Sequence, residues 1–183
     1  MKAWQHLKTI TRHRHLVMAG CFRVGLVWQG LTHDLSKYSP TEFLVGAKYY
    51  QGTRSPNAAE REVKGYSEAW IHHKGRNRHH YEYWTDMSRE TRQYEAVPMP
   101  RRYLVEMVMD RRAACMVYQG KNYTDGSALA YFDGSREKHL MHPRTRQELG
   151  YLLTMLKDKG EKETFRYIKD SVLKGQPFPW EVE

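Results

Sequence analysis

No stretch of real length in this chain alternates apolar and polar residues with a period of two; wherever apolar residues cluster, they recur at helical spacing. A half-buried strand needs the alternation, because successive side chains leave it on opposite faces, whereas a helix returns to one face every three or four residues. The clearest run follows Pro100: Tyr103, Leu104, Met107, Val108, Ala114, Cys115 and Tyr118 share a face, and Gly120 stops it. Trp4, Leu7, Lys8 and Thr11 open a weaker amphipathic helix that leads into the apolar stretch Leu16 to Leu31. The expected fold is therefore all-α, a compact helical bundle.

Start and stop signals divide it further. Ser39-Pro40-Thr41-Glu42 reads as a capping box with proline at the first helical position, predicting a helix to about Tyr50. After a loop at Gly52 to Pro56, Asn57-Ala58-Ala59-Glu60 repeats the signal and predicts a helix through about His73. Its inward stripe is Val63, Tyr66, Trp70 and His73, and Gly75 ends it. Met87 to Pro100, polar with two prolines, reads as a surface connection. Gly126 to Leu140 reads as short helical pieces around an Asp133-Gly134 turn. His142-Pro143 opens a helix to Lys159, Glu161 to Lys174 makes another, and Phe178 and Trp180 are the candidate anchors of the tail Gln176 to Glu183.

A length of 183 residues fits one domain, residues 1–183, with a real core. No apolar run approaches the ~20 residues of a membrane span, and MKAWQHLKTITRHRH is no signal peptide, so a soluble, cytoplasmic protein with no membrane partner is expected. Cys21 and Cys115 read as buried thiols in a reducing compartment. A net charge of +9 points to an anionic substrate or partner: a phosphate ester, a nucleotide or nucleic acid. Oligomeric state stays open.

The chemistry centres on GLTHDLSKYSPTEF, where His33 and Asp34 are adjacent and Lys37 follows three residues on. Neighbouring imidazole and carboxylate donors suit a borderline or hard divalent ion, and a carboxylate can bridge two. This pair is expected where the buried N-terminal helix ends. Other candidate donors are His13 or His15 at the start of that helix, and His72, His73, His79 and His80 around the break at Gly75. Asp110 lies inside the apolar helix after Pro100, with Glu106 four residues earlier on the same side. A charge near a buried face is costly unless it is paired or metal-bound; the plain alternative for Asp110 is an ion pair with Arg111 or Arg112. Glycine-rich phosphate loops, HExxH, zinc-finger cysteine spacing and GxSxG are all absent. Tyr49, Tyr50, Tyr81, Tyr83 and Trp84 could stack a base, although aromatic residues at helical spacing more often belong to a core.

A histidine, then His-Asp, then further histidines, then a helical aspartate: in a helical chain this order resembles the HD-domain superfamily of metal-dependent phosphohydrolases. His13 in HRHLV, His33, Asp34 and Lys37 in THDLSK, and Asp110 in EMVMDRRAA carry the resemblance. The histidines of WIHHKGRNRHHYEYW look like the additional ligands of two-metal members. LTHDLSKYSPTEF, GYSEAWIHHKGRNRHHYEYW and YLVEMVMDRRAA are similar to an uncharacterised bacterial and phage family of HD-like proteins, over roughly residues 11–121. The C-terminal helices, about 143–174, lie outside it. The spacing from His13 to His33 is shorter than in many HD proteins, which keeps His15 in competition for the first ligand position.

The resemblance implies one or two divalent ions, from among Mn, Fe, Co, Ni, Mg and Zn. His13, His33, Asp34 and Asp110 would hold the first, and Asp34 would bridge to a second held by some of His72, His73, His79 and His80. Asp34 and Lys37 would be the catalytic pair, and Lys37, Lys74, Arg76, Arg78 and Arg111 the candidate phosphate contacts. The expected activity is hydrolysis of a phosphate ester, with a nucleotide as first candidate. The alternatives are a di-iron oxygenase on the same scaffold and a non-catalytic nucleic-acid-binding protein.

Overall fold

A computed structural model describes residues 1–135 and 139–182. It is helical almost throughout: α1 (Lys2–Val24), α2 (Val27–Thr32), α3 (Pro40–Tyr49), α4 (Pro56–Lys64), α5 (Glu68–Lys74), α6 (Arg101–Gln119), α7 (Ser127–Gly134) and α8 (Pro143–Asp170). The all-α expectation holds. The core lies where α1, α6 and α8 meet, and is built from Val17, Cys21 and Val24, from Leu104, Val105, Met107, Val108 and Met109, and from Leu149, Leu152, Leu153 and Ile168. The pairing of α1 with α6 is the most extensive in the fold. It sets the inner face of α1 against the inner face of α6, and the polar residues on those faces meet at one end of the core.

Several local expectations need correction. The N-terminal helix does not run on to His33: it stops at Gly25, whose φ is 89°, and the short α2 carries the chain to Thr32. His33 and Asp34 thus stand in the turn after α2, followed by a 3-10 turn, Leu35–Tyr38. The helix expected from Asn57 to His73 is two helices. α4 starts at Pro56 behind Ser55 and closes at Gly65, where φ is 82°. An L side chain there would meet the steric cost of the left-handed region, and glycine avoids it. Ser67 then caps α5 by accepting the Trp70 amide at 3.0 Å. Val63 and Tyr66, expected inside, are exposed because the break turns them outward.

The connection after Met87 contains a small antiparallel hairpin, β1 (Thr85–Met87) with β2 (Tyr94–Ala96), on the surface. Its strands are too short for a period to show. Ser39 does cap α3, accepting the Glu42 amide, but Glu42 does not return the bond; its carboxylate turns inward to two imidazoles. Asp133 and Gly134 end α7, and residues 136–138 of the expected Asp133-Gly134 region lie outside the described residues, as does Glu183 at the end of the tail. Further on, the expected break between two helices is present: Gly160 is not helical, and α8 carries one helix on each side of it, the second ending at Asp170 rather than Lys174. Among the described residues no helix is long and apolar enough to cross a membrane.

Candidate metal centre

Four segments bring the centre together. α1 places His13 on its core face, and the turn after α2 supplies His33 and Asp34. Asp34 takes up left-handed backbone angles, φ 54° and ψ 24°, in the tight turn between α2 and the 3-10 turn. Asp34 is buried, and its two oxygens look in different directions. Oδ2 lies 3.6 Å from His13 Nε2, 3.4 Å from His33 Nε2 and 2.7 Å from Lys37 Nζ. Oδ1 lies 3.2 Å from His73 Nε2 and 3.4 Å from His79 Nε2. Asp110, from α6, closes the first side: its Oδ1 is 2.9 Å from His13 Nε2 and 3.6 Å from His33 Nε2.

His79 and His80 reach the second side because the chain folds back after α5. The Asn77 amide and the Asn77 side chain both donate to the His73 carbonyl, at 3.1 and 2.8 Å, and the side chain also donates to Ser36 Oγ at 2.8 Å. This reversal puts the His80 ring 4.8 Å from that of His73 and 4.1 Å from that of His79. Two donor groups result, each compact enough to surround one ion: His13, His33, Asp34 and Asp110, and Asp34, His73, His79 and His80, with Asp34 common to both.

The atoms that converge are the unsatisfied ones. The Nε2 atoms of His13, His33, His73, His79 and His80 and both oxygens of Asp34 are buried with no hydrogen bond of acceptable geometry. Buried polar atoms are rarely left so, and seven pointing at one another make an arrangement that a cation would resolve. The donor set, imidazole nitrogen with carboxylate oxygen, fits a first-row divalent ion.

Behind the inward nitrogens stand two glutamates. Glu106 Oε1 accepts the Nδ1–H of His33 at 2.8 Å and lies 3.1 Å from His79 Nδ1. Glu42 accepts the Nδ1–H of His73 at 2.7 Å and of His72 at 2.6 Å. A histidine that gives its Nδ1 proton to a carboxylate presents Nε2 as a lone pair, as metal-ligating histidines do. Sequence reasoning misses both glutamates as site residues. Glu42 reads there as half of a capping box, and for Glu106 the only signal is its place one turn before Asp110.

Charge follows this geometry. Burial disfavours the charged ring of His33, but Asp34, then Asp110 and Glu106, outweigh it and hold its pKa well above the ordinary value. Burial likewise opposes ionisation of Asp34, and His33, Lys37 and His73 reverse it, keeping the carboxylate ionised far into acid. His80 goes the other way: burial, and then its neighbours His79 and His73, push its pKa well down.

Other expected residues fall outside the centre. His15 is exposed on the far side of α1, because two residues on a helix are about half a turn apart, so His13 is the histidine that turns inward. His72 is half-buried and belongs to neither donor group, its Nδ1 being turned to Glu42. Lys74, Arg76 and Arg78 do not line the cavity beside the centre; Arg78 instead lies over the rings of Tyr83 and Tyr103. Lys37 and Arg111 do line it. That cavity, about 750 Å³, opens on His13, His73, His80 and Asp110 and is walled further out by Tyr50, Trp70, Tyr81 and Tyr118. Of the aromatic residues considered for stacking, Tyr50 and Tyr81 reach it, whereas Tyr83 and Trp84 pack against each other.

Against known proteins, one family model matches, over residues 2–155, and its description is a family of unknown function, DUF5662. No curated protein and no solved structure matches the chain.

Proposed function

We propose that this chain, which belongs to the DUF5662 family of unknown function, is a metal-dependent phosphohydrolase that cleaves a phosphate ester, with nucleotides as the candidate substrates. The reading rests on the five buried imidazole Nε2 atoms that converge without hydrogen bonds on the carboxylate of Asp34. His13, His33, Asp34 and Asp110 would hold one divalent ion, and Asp34, His73, His79 and His80 a second. A divalent ion bound there supplies a Lewis acid for phosphoryl oxygens and makes a bound water acidic enough to attack near neutral pH.

The protein's own groups do the remaining work. Asp34 faces both donor groups with one oxygen each and so keeps them in register. Lys37, whose ammonium is 2.7 Å from Asp34 Oδ2 at the cavity wall, would meet an incoming phosphoryl group with positive charge, together with Arg111. A cavity of about 750 Å³ lies within the range for small-molecule sites, and its aromatic walls could flank a base. The reaction would take place in the cytoplasm, where free nucleotides are abundant.

The test is elemental analysis of protein purified without a metal-binding tag, followed by a nucleotide panel read as phosphate release. About two equivalents of metal and turnover are expected, and both His33→Ala and Asp34→Ala should lose turnover by at least ~100-fold with the helical circular dichroism intact. Full metal content and turnover in both variants would sink the centre. Because the same donor set also suits iron, oxygen uptake should be followed in parallel; uptake without phosphate release would favour the oxygenase alternative.

A further inference from the structure

We infer that Glu106 is a positioning residue that couples the two ion positions, because one of its oxygens holds a histidine of each. The inference rests on the two-ion reading of the centre and adds a residue that acts on both ions from behind their ligands. Glu106 sits in α6 one turn before Asp110 and is only 5% exposed. Its Oε1 accepts the Nδ1–H of His33 at 2.8 Å and lies 3.1 Å from His79 Nδ1, and the two rings lie 4.4 Å apart.

The opposite edges of those rings serve different ions. His33 Nε2 faces Asp34 Oδ2 and Asp110 Oδ1, at 3.4 and 3.6 Å, which is the first position. His79 Nε2 faces Asp34 Oδ1 at 3.4 Å, which is the second. A single buried oxygen therefore fixes the tautomer and tilt of one ligand in each group. One donor atom each of His33, His79 and Glu106 also lie within 4.8 Å of one another. Both imidazoles already turn Nδ1 to Glu106 Oε1, so this trio links the two positions and is not a third.

Coupling follows from the sharing. An ion held by His33 Nε2 would withdraw electrons from the ring and make its Nδ1–H a stronger donor to Oε1, and the same oxygen determines how firmly His79 is held. Glu42 provides the contrast. It takes the Nδ1–H of His73 at 2.7 Å and that of His72 at 2.6 Å. His72 is in neither donor group, so Glu42 supports the second position alone.

The experiment titrates metal-free full-length protein with cobalt(II), by calorimetry and by visible absorption, which reports the ligand field at each position whether or not the enzyme turns over. Wild type, Glu106→Gln and Glu42→Gln are compared, with far-ultraviolet circular dichroism confirming the fold. Glu106→Gln should weaken both ions by about 10- to 100-fold and shift both sets of cobalt bands. Glu42→Gln should weaken and shift only one. If wild type binds two ions and Glu106→Gln loses affinity for one or for neither, the coupling role is overturned while the centre stands. Wild type that binds no cobalt would overturn the centre itself.

Discussion

At the scale of single residues, the buried histidines divide by what they face. His33 and His73 face carboxylates, which overcome burial and raise their pKa values. His6 has no such neighbour. It is buried against Phe43 and Tyr50, with ring centroids at 5.5 and 5.8 Å, and its Nδ1 has no partner. Burial, with a smaller contribution from the charge on Lys37, lowers its pKa from 6.5 to about 4. Acid therefore protonates His6 in the unfolded chain first. Its contribution is fully present above pH 6.5 and is lost as the pH falls to about 4, an effect on the order of 3 kcal/mol. His6→Gln should flatten the stability profile in that window, measured by urea unfolding of metal-free protein at several pH values. His33 and His73 act with the opposite sign, but in both proteins, so the difference isolates His6; parallel profiles would refute it. Residues with unusual chemistry, His33, Asp34 and Asp110, are legible because a sequence shows such residues directly. Glu42 and Glu106 are not, since an ordinary glutamate on a helix gains its role only from which imidazole stands opposite.

Among elements, helix identity is legible in the sequence and helix boundaries less so. Pro100 and Gly120 bracket α6 as expected, since its apolar residues repeat over nearly five turns and both ends carry strong signals. Gly25 and Gly65 give no such warning, because a glycine inside an apolar or amphipathic run can equally sit within a helix; the left-handed angles that make it a stop are set by packing. Gly160 does mark the gap between two helices, as the sequence suggests. Its φ of 73° and ψ of 176° fall in a region almost reserved for glycine, and the helix that resumes carries Glu161 to Arg23 of α1 and Arg112 of α6. Gly160→Ala should thus destabilise the fold by about 1–3 kcal/mol, seen as a lower urea midpoint with an unchanged slope. An unaltered midpoint would mean that the kink can straighten at no cost.

For the whole molecule, the family match stops at residue 155, within α8, and the segment beyond it packs back on the core. Phe178 is 1% exposed, stacks on Trp180 at 4.9 Å and meets the edge of Tyr151 at 5.8 Å. Arg101 at the start of α6 donates to the Gln176 carbonyl at 2.6 Å and pairs with Glu181 at 2.8 Å, so the tail is clasped as well as buried. Ending the chain after Gly175 should cost about 3–5 kcal/mol of stability, the usual scale for removing a buried aromatic side chain, while leaving cobalt binding intact at low temperature. Loss of binding in a still-folded truncate would show that the tail reaches the centre. Drawing donors from α1, α5, α6 and two turns also bears on the order of synthesis. His13 precedes Glu106 and Asp110 by more than 90 residues and so leaves the ribosome well before them. Until α6 emerges, the inner face of α1 lacks its main partner. A chain halted before α6 would lack Asp110, so the first donor group is completed only when α1 and α6 have met, whereas all four residues of the second precede α6.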